Sequence, residues 1–74
     1  MLKNIREKNR LSQHDLSVKS GVNVRTIQHY EQGERNINGA SLETLCRLSI
    51  ALRCKISDIL SDKDLIALTK KAEL

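Results

Sequence analysis

Apolar and polar positions recur with a helical period along most of the chain. Leu2, Ile5 and Asn9 stand at helical spacing and Leu11 closes the segment, which predicts a first helix over about residues 2 to 9 with Lys3, Glu7 and Lys8 outward. Ser12, Gln13, His14 and Asp15 then read as a capping box that opens a second helix carrying Leu16 and ending by Ser20. Gly21 breaks it, where the backbone needs positive φ at low steric cost. Asn23 is the next N-cap, and a third helix runs from Val24 to about Glu31 with Ile27 and Tyr30 as its inward stripe and Gly33 as its terminator.

Residues 34–40, ERNINGA, have no period and contain the turn dipeptide Asn38-Gly39, so they read as a loop with Ile37 tucked in. Helical order resumes at Ser41. Leu42, Leu45, Ser49 and Leu52 share one face of a fourth helix over about 41 to 52, with Cys46 and Ile50 forming a second apolar edge. A fifth helix starts at Ser57 and offers Ile59 and Leu60 after Ile56, while Ser61 to Asp64 cap a sixth segment bearing Leu65, Ile66 and Leu68. No strand survives. The pattern predicts an all-α, compact bundle of five short helices over residues 1–60. Three readings stay open for the tail, 61–74: a sixth helix packed on Cys46 and Ile50, a dimerisation arm, or a frayed end.

Composition narrows the function. Seventy-four residues make one small domain, too small for a large catalytic cleft. No Ser/His/Asp set, Cys/His pair, paired carboxylates or phosphate-cradling Gly loop stands at usable spacing, so no enzyme is expected. Tyr30 is the only aromatic residue, which leaves no platform on which single-stranded bases could stack. The net charge is +4, and the excess is concentrated early: residues 1–35 hold seven Lys/Arg against four Asp/Glu. That balance is compatible with neutralising phosphates. Cys46 and Cys54 stand without a second pair, and His14 and His29 lack partners at ligand spacing, so neither metal nor cofactor is expected, only half-buried thiols. Met1 leads straight into a polar helical stretch and no apolar run reaches spanning length, which predicts a cytoplasmic protein.

Two short helices joined through Gly21 make a helix-turn-helix at about residues 12–32 whose second member is braced by the first. With Ile27 and Tyr30 facing inward, Val24, Arg25, Gln28 and His29 share the opposite surface. Arg can bond guanine bidentately, Gln can reach adenine or a phosphate, His can donate to an acceptor, and Val can sit on a thymine methyl. A DNA major groove admits such a helix.

The chain thereby resembles the phage-repressor and Cro (XRE) helix-turn-helix family, through LSQHDLSVKSGVNVRTIQHYEQGER and SLETLCRLSIALRCKISDIL, over about residues 2 to 60. The resemblance implies a five-helix bundle that binds operator DNA, usually as a homodimer, and represses or tunes transcription. It implies that Gln13 grips a phosphate at the start of the second helix, that Val24, Arg25, Gln28 and His29 face bases, and that Gln32 and Arg35 contact the backbone. It also implies a buried ion pair between Arg6 and Glu31.

Some positions depart from the family pattern. Ser17 and Ser49 stand where Ala is usual, and each is expected to return its hydroxyl to a carbonyl one turn back. Ile37 with Asn38-Gly39-Ala40 replaces a Pro loop, and Arg53 follows the fourth helix where Gly is common, at a cost of about 1 kcal/mol if left-handed. Rival readings are an antitoxin, a restriction-modification controller, or a protein-interaction module of this fold that has lost DNA binding.

Overall fold

Leu16 and Ile27, both fully buried, are the points at which the second and third helices close on the rest of the chain. The computed structural model describes residues 1–74 as α1 (Leu2–Lys8), α2 (Gln13–Ser20), α3 (Val24–Gln32), a 3-10 turn (Ile37–Gly39), α4 (Leu42–Leu52), α5 (Ile56–Ile59) and α6 (Lys63–Lys71). There is no strand. α2 lies across α3 and α4, α1 rests on α3 and α5, and α5 is wedged between α4 and α6. One core joins them, with Leu2, Leu16 and Val22 from the amino-terminal half meeting Leu45, Leu48, Ile56 and Ile59 from the other.

The helix ends follow from local chemistry. Ser12 Oγ accepts from the Asp15 amide at 2.9 Å while Asp15 Oδ2 accepts from the Ser12 amide at 3.0 Å, so two otherwise unpaired donors are satisfied reciprocally. Gly21 adopts φ 74° and its amide donates to the Ser17 carbonyl. α3 begins where Asn23 Oδ1 accepts from the Arg25 amide at 2.8 Å, and it ends at Gly33 with φ 78°.

The fourth helix differs from its expected phase. Leu48 is fully buried and lies on the stripe with Leu45 and Leu52, while Leu42 is 56% and Ile50 76% exposed. Six apolar residues besides Ala51 crowd this 11-residue helix, and at about 100° per residue such a pattern admits several phases. Tertiary packing selects the one centred on Leu45, Leu48 and Leu52. Leu42 is the first residue of α4 and stays largely exposed. The fifth helix starts at Ile56, one residue before the expected Ser57, because the Lys55 amide donates to Asp58 Oδ2 at 2.9 Å. Ser57 is consequently buried inside it.

The tail forms α6, capped by Asp62, whose Oδ1 accepts from the Asp64 and Leu65 amides. It packs on α5, and Ile50 on α4 stays exposed. Asn38 accounts for its position: Asn38 Oδ1 accepts from the Ser61 and Asp62 amides at 2.9 and 3.0 Å, and Nδ2 donates to Ser61 Oγ at 2.8 Å. The loop after α3 thus clamps the α5–α6 junction. A radius of gyration of 11.3 Å equals the roughly 11 Å expected of a compact chain this long, which places α6 on the body rather than projecting from it.

Candidate nucleic-acid interface

The turn between α2 and α3 is laced by two serines. Ser17 Oγ donates to the Val22 carbonyl at 2.6 Å, and Ser20 Oγ accepts from the Val22 amide at 3.1 Å. Both polar groups of buried Val22 are therefore satisfied by side chains, and the angle between the helices is held. The expected bond from Ser17 to a carbonyl one turn back is absent, since the turn's carbonyl is nearer. Ser49 does make that bond, donating to the Cys46 carbonyl at 2.9 Å.

With Ile27 locked in the core, the opposite side of α3 is left toward solvent. Arg25 and Gln32 are exposed; Val24, Gln28 and His29 are half-buried. Arg25, Gln28, His29 and Gln32 fall at i, i+3, i+4 and i+7, a single stripe along the helix. Tyr30 is half-buried rather than central, and the Arg35 guanidinium lies 5.4 Å from its ring centroid, which fixes an otherwise free cation just beyond the helix.

Behind this stripe, Arg6 Nε donates to Glu31 Oε2 at 2.7 Å and Arg6 Nη2 to Glu31 Oε1 at 3.0 Å, a two-pronged pair joining α1 to α3. Arg6 Nη1 also donates to the Leu11 carbonyl at 2.7 Å. Gln13 Nε2 donates to Glu31 Oε1 at 3.0 Å, so the first residue of α2 is tied to the same carboxylate and keeps its amide oxygen and second N–H free. Burial alone would push the Glu31 carboxyl up; the Arg6 guanidinium and the Gln13 amide outweigh it and hold the carboxyl below its usual range. The Arg6 guanidinium is raised in turn, chiefly by its bond to Glu31.

The roles of three residues at this site, Ser17, Ser20 and Glu34, differ from or go beyond what the sequence predicts. Ser17 and Ser20 lie next to the turn glycine, where hydroxyls commonly pair with backbone, and that adjacency was the available signal. Glu34 stands 2.9 Å from His29 Nδ1 through its Oε2. Its signal was the helix-ending Gly33, which folds the next residue back over the last turn. Elsewhere, Cys46 and Cys54 are free and half-buried, and burial, with the Asp58 carboxylate, pushes the Cys54 thiol up. No group of three or more His, Cys, Asp or Glu side chains is placed to hold a metal ion, and no helix is long and apolar enough to cross a membrane.

A rigidly braced helix presenting Arg, Gln and His outward, preceded by a capped partner helix, defines a helix-turn-helix DNA-binding protein. The helix-turn-helix family model matches residues 2–59, and the chain belongs to this XRE-type family. It is a DNA-binding regulator, and the family is one of DNA-binding domains rather than enzymes. No curated protein and no solved structure matches the chain.

Proposed function

We propose that this protein is a sequence-specific repressor that occupies a double-stranded operator as a homodimer, with α3 in the major groove. Val24, Arg25, Gln28 and His29 contact base edges in this reading; Gln13, Gln32 and Arg35 contact phosphates. The observation that carries it is the stripe of Arg25, Gln28, His29 and Gln32 on the free side of a helix whose other side is anchored by fully buried Ile27. Gln13 supports the phosphate assignment, because it lies at the start of α2 where unpaired backbone N–H groups favour an anion.

Dimerisation has a physical motive: one helix reads only a few base pairs, and a two-fold partner adds a second half-site at high effective concentration. Ile50 and Leu68, 76% and 62% exposed on α4 and α6, offer apolar surface for it. Half-sites would lie about 34 Å apart, one turn of the duplex. In this reading the protein is bacterial or phage-encoded, works in the cytoplasm and is nucleoid-associated when bound.

Selection of bound sequences from a random duplex pool tests this. Palindromic winners with half-sites about one helical turn apart are expected. A pool that yields no preferred sequence would overturn the proposal.

A further inference from the structure

His29 and Glu34 are joined twice. The Glu34 and Arg35 amides donate to the His29 carbonyl at 2.9 and 3.2 Å, a closure made possible by Gly33 at φ 78°. The Glu34 backbone is thereby held over the last turn of α3, and its side chain returns to His29, with Oε2 2.9 Å from Nδ1. An ionised carboxylate only accepts hydrogen bonds, so the shared proton belongs to Nδ1. In a neutral imidazole, one ring nitrogen carrying the proton makes the other an acceptor. The ring nitrogen left free of Glu34 is Nε2, and His29 is 39% exposed through its side chain.

We propose that Glu34 is a specificity-determining positioning residue: it holds neutral His29 as the Nδ1–H tautomer, so that the recognition helix presents an acceptor, Nε2, at this position. The inference rests on the proposed placement of α3 in the groove. Its chemical consequence applies to the neutral ring, since both nitrogens of an imidazolium donate. An acceptor pairs with the groove's donors, the amino groups of adenine N6 or cytosine N4, and meets the O6 and N7 acceptors of guanine and the O4 of thymine unfavourably. Without Glu34 the ring is free to take the Nε2–H form that an unrestrained histidine prefers, and the preference inverts toward acceptor bases.

Glu34 carries a second, opposite influence that separates this role from simple electrostatics. Removing a carboxylate beside a polyanion strengthens binding to every sequence alike. Changing the tautomer alters preference at one base position only.

Two measurements on the full chain test the proposal. The first is a two-bond proton–nitrogen correlation spectrum of nitrogen-15-labelled protein at about pH 8, with exposed His14 as internal reference. His29 is expected with Nδ1 protonated and Nε2 bare in the wild type, and shifted toward the Nε2–H form in Glu34→Ala. A wild-type His29 already in the Nε2–H form would overturn the proposal without any reference to DNA.

The second is selection from a random duplex pool with wild type, His29→Ala and Glu34→Ala. His29→Ala identifies the base position that His29 governs. Glu34→Ala is expected to weaken the adenine or cytosine preference at that same position by roughly three- to tenfold, the worth of one hydrogen bond, and to leave the other positions unchanged. A wild-type preference that Glu34→Ala leaves intact, or that it alters elsewhere, overturns this proposal alone. No preferred sequence from the wild type overturns it together with the function it rests on.

Discussion

Arg6 and Glu31 form a two-pronged ion pair between α1 and α3 in which the two side chains retain only 10% and 3% of their exposure. At that burial neither charge can fall back on water, so removing one strands the other. Glu31→Ala is expected to cost about 3 to 5 kcal/mol, a large share of the total stability of a domain this size. The surface pair of Arg47 and Glu43, 51% and 78% exposed, provides the contrast: Glu43→Ala should cost under about 1 kcal/mol. Urea midpoints of the two variants check both figures, and equal losses would contradict the difference in burial.

The same pair sets an acid limit. Glu31 is held below its usual range in the folded protein, so its contribution is fully present above the unfolded carboxylate value of about 4.3 and is lost as pH falls through the lower folded value. Asp15 is lowered too, first by the Ser12 amide and then by the Ser12 hydroxyl, and acts in the same direction. Arg6 is protonated in both states across this window and adds no slope. Thermal midpoints followed from pH 7 to pH 3 should drop below about pH 4, and the gap between wild type and Glu31→Gln should narrow there. A gap that stays constant would mean Glu31 does not titrate with unfolding.

The two ends of the chain were unequally legible. α2 and α3 could be read because each boundary has its own chemical mark: Ser12 with Asp15, Gly21, Asn23, Gly33. Ile27 follows from those marks, since a short capped helix has few ways to turn. α4 carries no such mark within it, and its inward stripe keeps Leu45 and Leu52 but takes Leu48 in place of Leu42 and Ser49, because the phase is decided by what packs against it. Asn38 illustrates a harder case. In sequence it is half of a turn dipeptide, and only the approach of Ser61 and Asp62 makes it a clamp. At the interface, side chains along α3 were legible by spacing, whereas Glu34 and Ser17 act through partners that only the folded turns bring near.

Arg53 sits in the left-handed region, φ 52° and ψ 46°, because ending α4 there lets the Cys54 amide reach the Ser49 carbonyl at 3.0 Å. An L-residue in this region costs about 1 to 2 kcal/mol, and glycine recovers part of that at some cost in unfolded-state entropy. Arg53→Gly is expected to raise stability by up to about 1 kcal/mol, visible as a higher urea midpoint with an unchanged slope. A loss would show that the Arg53 side chain contributes packing that outweighs its backbone strain.

The serine lacing of the turn is graded. Ser20→Ala leaves the buried Val22 amide without its partner and should cost about 1 to 3 kcal/mol, whereas Ser17→Ala removes one bond to a carbonyl and should cost about 1 kcal/mol. Amide hydrogen exchange at Val22 reads the difference directly, since protection should fall further in Ser20→Ala. Equal protection in both variants would place the Val22 amide's partner elsewhere.

Arg25 and Arg35 are both cationic and both near α3, yet they should fail differently on DNA. Arg25 projects from the first turn of α3 and is exposed, suited in the proposed reading to a bidentate contact to guanine; Arg35 lies beyond the helix, laid over Tyr30, where the proposed reading gives it phosphate rather than bases. Arg25→Ala is expected to cost about 1 to 3 kcal/mol against the preferred sequence and to relax preference at one base position. Arg35→Ala is expected to weaken every duplex about equally and to reduce the slope of log affinity against log salt by about 1, as one fewer phosphate is neutralised. Titrations of each variant with preferred and scrambled duplexes across a salt series separate the two. If Arg25→Ala lowers the salt slope and leaves base preference untouched, α3 lies along the phosphates rather than in the groove.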